Sequence, residues 1–101
     1  PRPMETVLAG TGACAAYDVL LILKRGRHAV TGCRVKVSAE RASTDPKVFT
    51  RIRMHFIVCG QHLDAQAVAR AVALSHEKYC SATAMLARTA QIEVSHEVVS
   101  S

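Results

Sequence analysis

The stretch Pro3-Met4-Glu5-Thr6-Val7-Leu8-Ala9-Gly10-Thr11-Gly12-Ala13-Cys14-Ala15-Ala16-Tyr17-Asp18-Val19-Leu20-Leu21-Ile22-Leu23-Lys24 decides the reading of this chain. Pro3 suits a helix start, because the N–H it lacks would have no helical partner there. Lys24, Arg25 and His28 place positive charge at the opposite end, where the helix dipole favours it, and Gly26 reads as a stop. The signals predict one helix from just after Pro3 to about Lys24. From Val7 to Leu23 it is almost wholly apolar, but Asp18 and a length near the lower bound argue against a membrane span. A helix buried on most sides inside a protein fits better. Gly10 and Gly12 each cost about 1 kcal/mol against Ala in a helix, so they mark a place where another backbone, or a substrate, comes very close. Only Pro1-Arg2-Pro3-Met4-Glu5-Thr6 precedes the apolar stretch, and no secretory signal is visible in it.

Downstream the period changes from helical to alternating. From Val30 to Arg41, Cys33, Val35, Val37 and Ala39 fall on one face, with Arg34, Lys36, Ser38 and Glu40 on the other. Ser43-Thr44-Asp45-Pro46 is a turn signal. Alternation resumes from Val48 to Val58, with Val48, Ile52, Met54, Phe56 and Val58 inward and Arg51, Arg53 and His55 outward. That predicts a hairpin with one buried face. Asp64 is an N-cap for a second helix whose stripe, Val68, Ala71, Val72, Ser75 and Tyr79, runs up to Cys80. Ser81 caps a short third helix to about Arg88. Ile92, Val94, His96 and Val98 then alternate as a final strand, giving the order α-β-β-α-α-β over one domain, residues 1–101.

Composition bounds the interior and the partners. Half of the 101 residues are hydrophobic, with two Tyr, two Phe and no Trp, so the core must be aliphatic and the chain is not disordered. A formal net charge of +5 raises the question of nucleic acid. Arg34, Lys36, Arg51 and Arg53 all face outward on the hairpin, however, and Glu93 and Glu97 would meet them if the last strand joins the sheet. A mixed-charge solvated face is the simpler reading. A sheet that stacks RNA bases would also present several aromatics, and only Phe49 has the parity for it. Neither nucleic acid nor a membrane is expected as a partner.

Four cysteines, Cys14, Cys33, Cys59 and Cys80, never form a C-x-x-C pair, and regular structure lies between them. That pattern suits a reducing cytoplasm, with any disulfide transient. Cys33 reads as a small core residue, and Cys59 has outward parity with no acid or base patterned around it. Cys14 sits among small residues that leave room beside its sulfur, although a merely buried packing cysteine explains it as well. Cys80 follows His76 by four residues on the same helix face, a spacing that lets the imidazole share the thiol proton; a helix-end cysteine beside a surface histidine is equally consistent. A zinc site would have to gather ligands from scattered elements, so neither a metal nor a cofactor is expected. No G-x-S-x-G elbow is present.

Taken together, Pro3-Met4-Glu5…Ala9-Gly10…Gly12-Ala13-Cys14-Ala15-Ala16-Tyr17-Asp18-Val19…Ile22-Leu23-Lys24 resembles the central helix of the OsmC/Ohr family. Val30-Thr31-Gly32, Pro46-Lys47-Val48-Phe49-Thr50-Arg51-Ile52 and Leu74-Ser75-His76-Glu77-Lys78-Tyr79-Cys80-Ser81 follow the same family in the same order. The resemblance spans about residues 3–99 and is nearer the OsmC-like branch than the organic hydroperoxide resistance branch. It implies an α+β fold with a long central apolar helix and an antiparallel sheet, in an intertwined homodimer with its sites at the interface. It also implies reduction of organic hydroperoxides by two cysteines, Cys14 attacking and Cys80 resolving, with a dithiol donor such as a lipoylated protein. The family's catalytic arginine lies on an N-terminal β segment that this sequence does not contain. Glu5 stands one residue later than the glutamate of the hydroperoxide resistance branch, and is the candidate for its role. The alternative is an OsmC-fold binding or scaffold protein without peroxidase activity.

Overall fold

The computed structural model describes residues 2–100, and the elements come in the expected order. Helix α1 (Pro3–Arg25) begins at its proline, and the carboxylate of Glu5 accepts the backbone N–H of Arg2 at 2.8 Å to close the first turn. It stops at Gly26 as expected. Gly26 keeps an ordinary φ of −81°, and the left-handed residue is Arg27, with φ 62°. One side of α1, carrying Thr11, Gly12, Ala15, Val19 and Leu23, is buried, while Val7 and Tyr17 on the other side are exposed. Within a single chain the helix is therefore covered on one side rather than on most. By length and composition alone it would also span a bilayer.

Strands β1 (Val30–Arg41) and β2 (Phe49–Gly60) form the predicted antiparallel hairpin. Strand β3 (Gln91–Ser100) lies on the far side of β2 and runs parallel to it, giving the order β1-β2-β3. The sheet is thus mixed rather than wholly antiparallel. The connection from β2 to β3 is a crossover through helical segments, which returns the chain in the same direction. Ile52, Met54, Phe56 and Val58 of the central strand are buried as expected.

Phe49 and Val48 reverse their expected positions. Glu40 pairs with Arg51 and Arg41 with Phe49, which leaves Thr50 as an extra residue, its hydroxyl donating to the Glu40 carbonyl at 3.2 Å. One inserted residue inverts the parity beyond it. Phe49 turns inward to 4% exposure, and Val48 is left outside the strand and exposed. No aromatic is then left on the outer face of the hairpin for stacking.

That outer face is the mixed-charge surface predicted from alternation. Arg53 contacts Glu40 at 2.7 Å and Glu93 at 3.3 Å, Arg51 lies 3.6 Å from Glu93, and His55 lies 2.8 Å from Glu97. All remain in contact with water, which screens the pairs and keeps their contribution to stability small.

Helix α2 (Ala65–Leu74) starts at Asp64, whose side chain accepts the N–H of Gln66. Its stripe does not continue as α-helix to Cys80. A wide π turn, Ser75–Tyr79, follows, closed by the Cys80 N–H donating to the Ser75 carbonyl. The changed period carries Tyr79 out to solvent. Helix α3 (Ser81–Leu86) is capped by Cys80 rather than Ser81, the Cys80 sulfur accepting the N–H of Thr83 at 3.4 Å. Helix α1 packs against β1, α2, the π turn and α3, and one apolar cluster joins them, from Ala15, Val19 and Leu23 to Phe56, Val68 and Cys80.

Candidate active site

Gly12 sets how closely α1 lies on the sheet. A Cβ built there would stand 2.8 Å from Cγ2 of Val37, so only a residue without a side chain admits this approach. The close approach at Gly12 is made by a valine side chain rather than by the backbone or substrate expected. At Gly10 a Cβ would meet nothing within 4 Å. Cys14 and Asp18 are the next polar groups along the helix, half-buried and one turn apart.

Ser75 fixes the opposite wall. It is fully buried, and its hydroxyl donates to the carbonyl of Ala15 at 3.1 Å, the residue next to Cys14. The turn is pinned against α1 at that point, and Cys80 follows directly from it. The Sγ atoms of Cys14 and Cys80 lie 3.3 Å apart although 66 positions separate them in the chain. Both are free thiols, with Cys80 buried and Cys14 partly open. A covalent S–S bond is about 2.05 Å, so the pair is in contact and one short movement from bonding.

Donors surround the sulfurs. The Thr83 hydroxyl donates to Cys80 at 3.0 Å, in addition to the Thr83 N–H, and the Ala82 N–H points at Cys14. Burial raises the Cys14 thiol above its ordinary value, the bond to Cys80 and the charge of Asp18 raise it further, and the Ala82 N–H acts the other way. No lysine or arginine among the described residues offsets these effects at Cys14. Burial also raises the carboxyl of Asp18, whose Oδ2 is buried with no hydrogen-bond partner among the described residues.

The other sequence candidates lie elsewhere. Glu5 is exposed in the first turn, occupied in capping, and nine residues from Cys14 along the helix, about 13 Å. The structure does not bring it to the thiol pair. His76 does not share the Cys80 proton as the four-residue spacing suggested. The hydrogen-bond partners of the Cys80 sulfur are Cys14 and Thr83, and the His76 Nδ1 is buried without a partner among the described residues. A π turn stacks residues five apart, so Cys80 lies over Ser75 instead. The Cys33 thiol is pushed up to about 11 by burial, as suits an inert packing cysteine. Sequence reasoning missed the roles of Ser75 and Thr83. Ser75 showed only as a small polar residue on an apolar stripe, and Thr83 only by standing three places after a cysteine.

A family model described as OsmC-like protein matches residues 1–95. The chain belongs to the OsmC-like family. Protein YhfA of Escherichia coli is 52% identical over 99 residues, covering 98% of this chain and 74% of YhfA. A protein of Aquifex aeolicus of known crystal structure superposes with a TM-score of 0.92 at 32% identity, covering 99% of this chain and 75% of its own. The organic hydroperoxide resistance protein OsmC of Legionella pneumophila superposes with a TM-score of 0.78 at 17% identity, over 96% of this chain and 69% of its own, a likeness of fold.

Proposed function

We propose that this OsmC-like chain is a thiol-dependent peroxidase that reduces organic hydroperoxides through Cys14 and Cys80. The observation that carries the reading is the 3.3 Å contact between two free sulfurs held by different elements. Cys14 is the more open of the two and would attack as thiolate. It bonds to one peroxide oxygen, the O–O bond breaks, and the departing alkoxide takes a proton to leave as alcohol, giving a sulfenic acid. Cys80 then attacks that sulfur, water leaves, and a Cys14–Cys80 disulfide results. A dithiol, such as a lipoyl group on a protein, reduces it and is itself oxidised to a disulfide.

The contact distance falls in the range of roughly 3–3.5 Å that favours reaction between positioned groups. Thr83 holds the Cys80 sulfur in place from two donors, which supports Cys80 as the resolving residue. Apolar surroundings from α1 favour fatty or aromatic hydroperoxides over hydrogen peroxide. Val7 and Tyr17 on the open side of α1, and the groove between Ala13 of α1 and Val35 of β1, support burial against a second copy in a homodimer. The shared core supports a single domain over residues 1–101, and the free thiols suit a cytoplasmic setting. Because Asp18 disfavours a thiolate at Cys14, turnover requires a cation beside that sulfur.

The test is consumption of an organic hydroperoxide by the dimer with a dithiol donor. Activity in the parent and its loss in Cys14→Ser are expected. Unchanged turnover in Cys14→Ser ends the proposal, and no turnover in either leaves the binding or scaffold reading in its place.

A further inference from the structure

The thiol pair has a third neighbour for which the peroxidase cycle has no use. The two Sγ atoms and a carboxylate oxygen of Asp18 all lie within 4.8 Å of one another. Asp18 Oδ2 is buried and accepts no hydrogen bond among the described residues. Two sulfurs and a carboxylate thus converge in a crevice where no cationic side chain among the described residues acts on Cys14. Such a site is poor at holding a thiolate on its own and well suited to holding a metal ion.

We propose that the reduced crevice binds a thiophilic divalent cation of the zinc class through Cys14 Sγ, Cys80 Sγ and the Asp18 carboxylate, with water in a fourth position. The donor set is mixed sulfur and oxygen, as zinc accepts. Metal–sulfur bonds of about 2.3 Å and metal–oxygen bonds of about 2.0–2.2 Å place tetrahedral donors roughly 3.6–3.8 Å apart. The sulfurs, at 3.3 Å, need to separate by only a few tenths of an ångström. Cys14 and Asp18 share one face of α1 by their four-residue spacing, and the π turn delivers Cys80 to that face.

The surroundings suit bound thiolates. The Thr83 N–H and hydroxyl donate to one sulfur and the Ala82 N–H points at the other, the type of outer contact that orients metal ligands. Binding exchanges protons for the ion: each thiol loses one as its metal–sulfur bond forms, and the carboxyl loses a third where it is protonated. The oxidation state of sulfur does not change. A metal-bound pair cannot form a disulfide, so the ion and the hydroperoxide exclude one another at the same atoms. Metal binding depends on the geometry of the pair and not on its peroxidase chemistry.

The experiment takes the whole chain, reduced and stripped with a chelator, and contains no peroxide, so its failure is distinct from failure of the peroxidase reading. Zinc is added to the unmodified chain, which is then alkylated, and each cysteine is read by mass spectrometry. Protection of Cys14 and Cys80 by one equivalent, with Cys33 and Cys59 unaffected, is expected. Cobalt should give a tetrahedral spectrum with sulfur charge-transfer bands, and Asp18→Asn, nearly the same shape, should weaken binding tenfold or more. Protection of Cys33 or Cys59 instead, absence of protection, or equal affinity in a folded Asp18→Asn chain overturns the assignment. The alkylation arm needs no variant and stands even if Asp18→Asn does not fold.

Discussion

Oxidising the Cys14–Cys80 pair should stabilise the fold, by an amount that follows from where the two residues lie. They are 66 positions apart in the chain. Cross-linking a loop of that length removes denatured-state entropy worth about 4 kcal/mol at 25 °C in the chain-entropy model. Against this stands the native-state cost of closing the sulfurs from 3.3 Å to a covalent length of about 2.05 Å. Cys14 is only half-buried, so its side chain has room to turn. Loss of the Thr83 hydroxyl's bond to the Cys80 sulfur adds roughly 1 kcal/mol of cost. A net gain of about 3 kcal/mol is expected. With a denaturant slope near 2 kcal/mol/M, that moves the urea midpoint up by roughly 1.5 M. The assay is urea unfolding of oxidised and fully reduced protein, followed by circular dichroism, with Cys14→Ser taken through the same treatment as control. An oxidised form no more stable than the reduced one would refute the reasoning, because the bond would then be distorting the native packing rather than completing it.

Two further outcomes follow from the same packing and electrostatics. Gly12→Ala places a methyl 2.8 Å from Cγ2 of Val37, closer than real Cβ contacts come, so one of the two must shift. Despite a helix-propensity gain of about 1 kcal/mol, overpacking of about 1–3 kcal/mol should leave the variant less stable by about 1 kcal/mol in urea unfolding; a stabilised variant would contradict the close approach. The second concerns pH. Because burial, Cys80 and Asp18 all raise the Cys14 thiol, its thiolate is scarce at neutral pH. Alkylation of Cys14 should therefore quicken about tenfold per pH unit from 6 to 9, without a plateau below pH 9. Asp18→Asn removes one of the raising charges and should speed the reaction at pH 8; a plateau near pH 7 in the parent would contradict the sign.

How far the sequence could be read depended on whether local pattern or tertiary contact decided each feature. Helix α1, both strands of the hairpin and the Asp64 cap were legible because proline, glycine, alternation and a capping side chain act over a few residues. The Arg–Glu surface followed from parity alone. Phe49 was misplaced because Thr50 bulges out of the ladder, and nothing in the residue types announces an insertion of one. The expected His76–Cys80 pairing failed because α-helical spacing was assumed across a segment that forms a π turn. At the site, Cys14 and Cys80 were singled out from the sequence, but their contact depends on the Ser75 hydroxyl reaching the Ala15 carbonyl, a bond spanning 60 positions. Asp18 was legible as a charge one turn from Cys14. Its nearness to Cys80 as well was not, since that needs both walls of the crevice in place.

The most direct measurement is to add one equivalent of an organic hydroperoxide to the reduced, chelator-treated protein and map its cysteines by mass spectrometry within seconds. We expect a single bond within one chain, between Cys14 and Cys80, while Cys33 and Cys59 stay as thiols. Four free thiols after exposure, or a bond that joins Cys33 to Cys59 instead, would contradict the assignment of this crevice as the reacting centre.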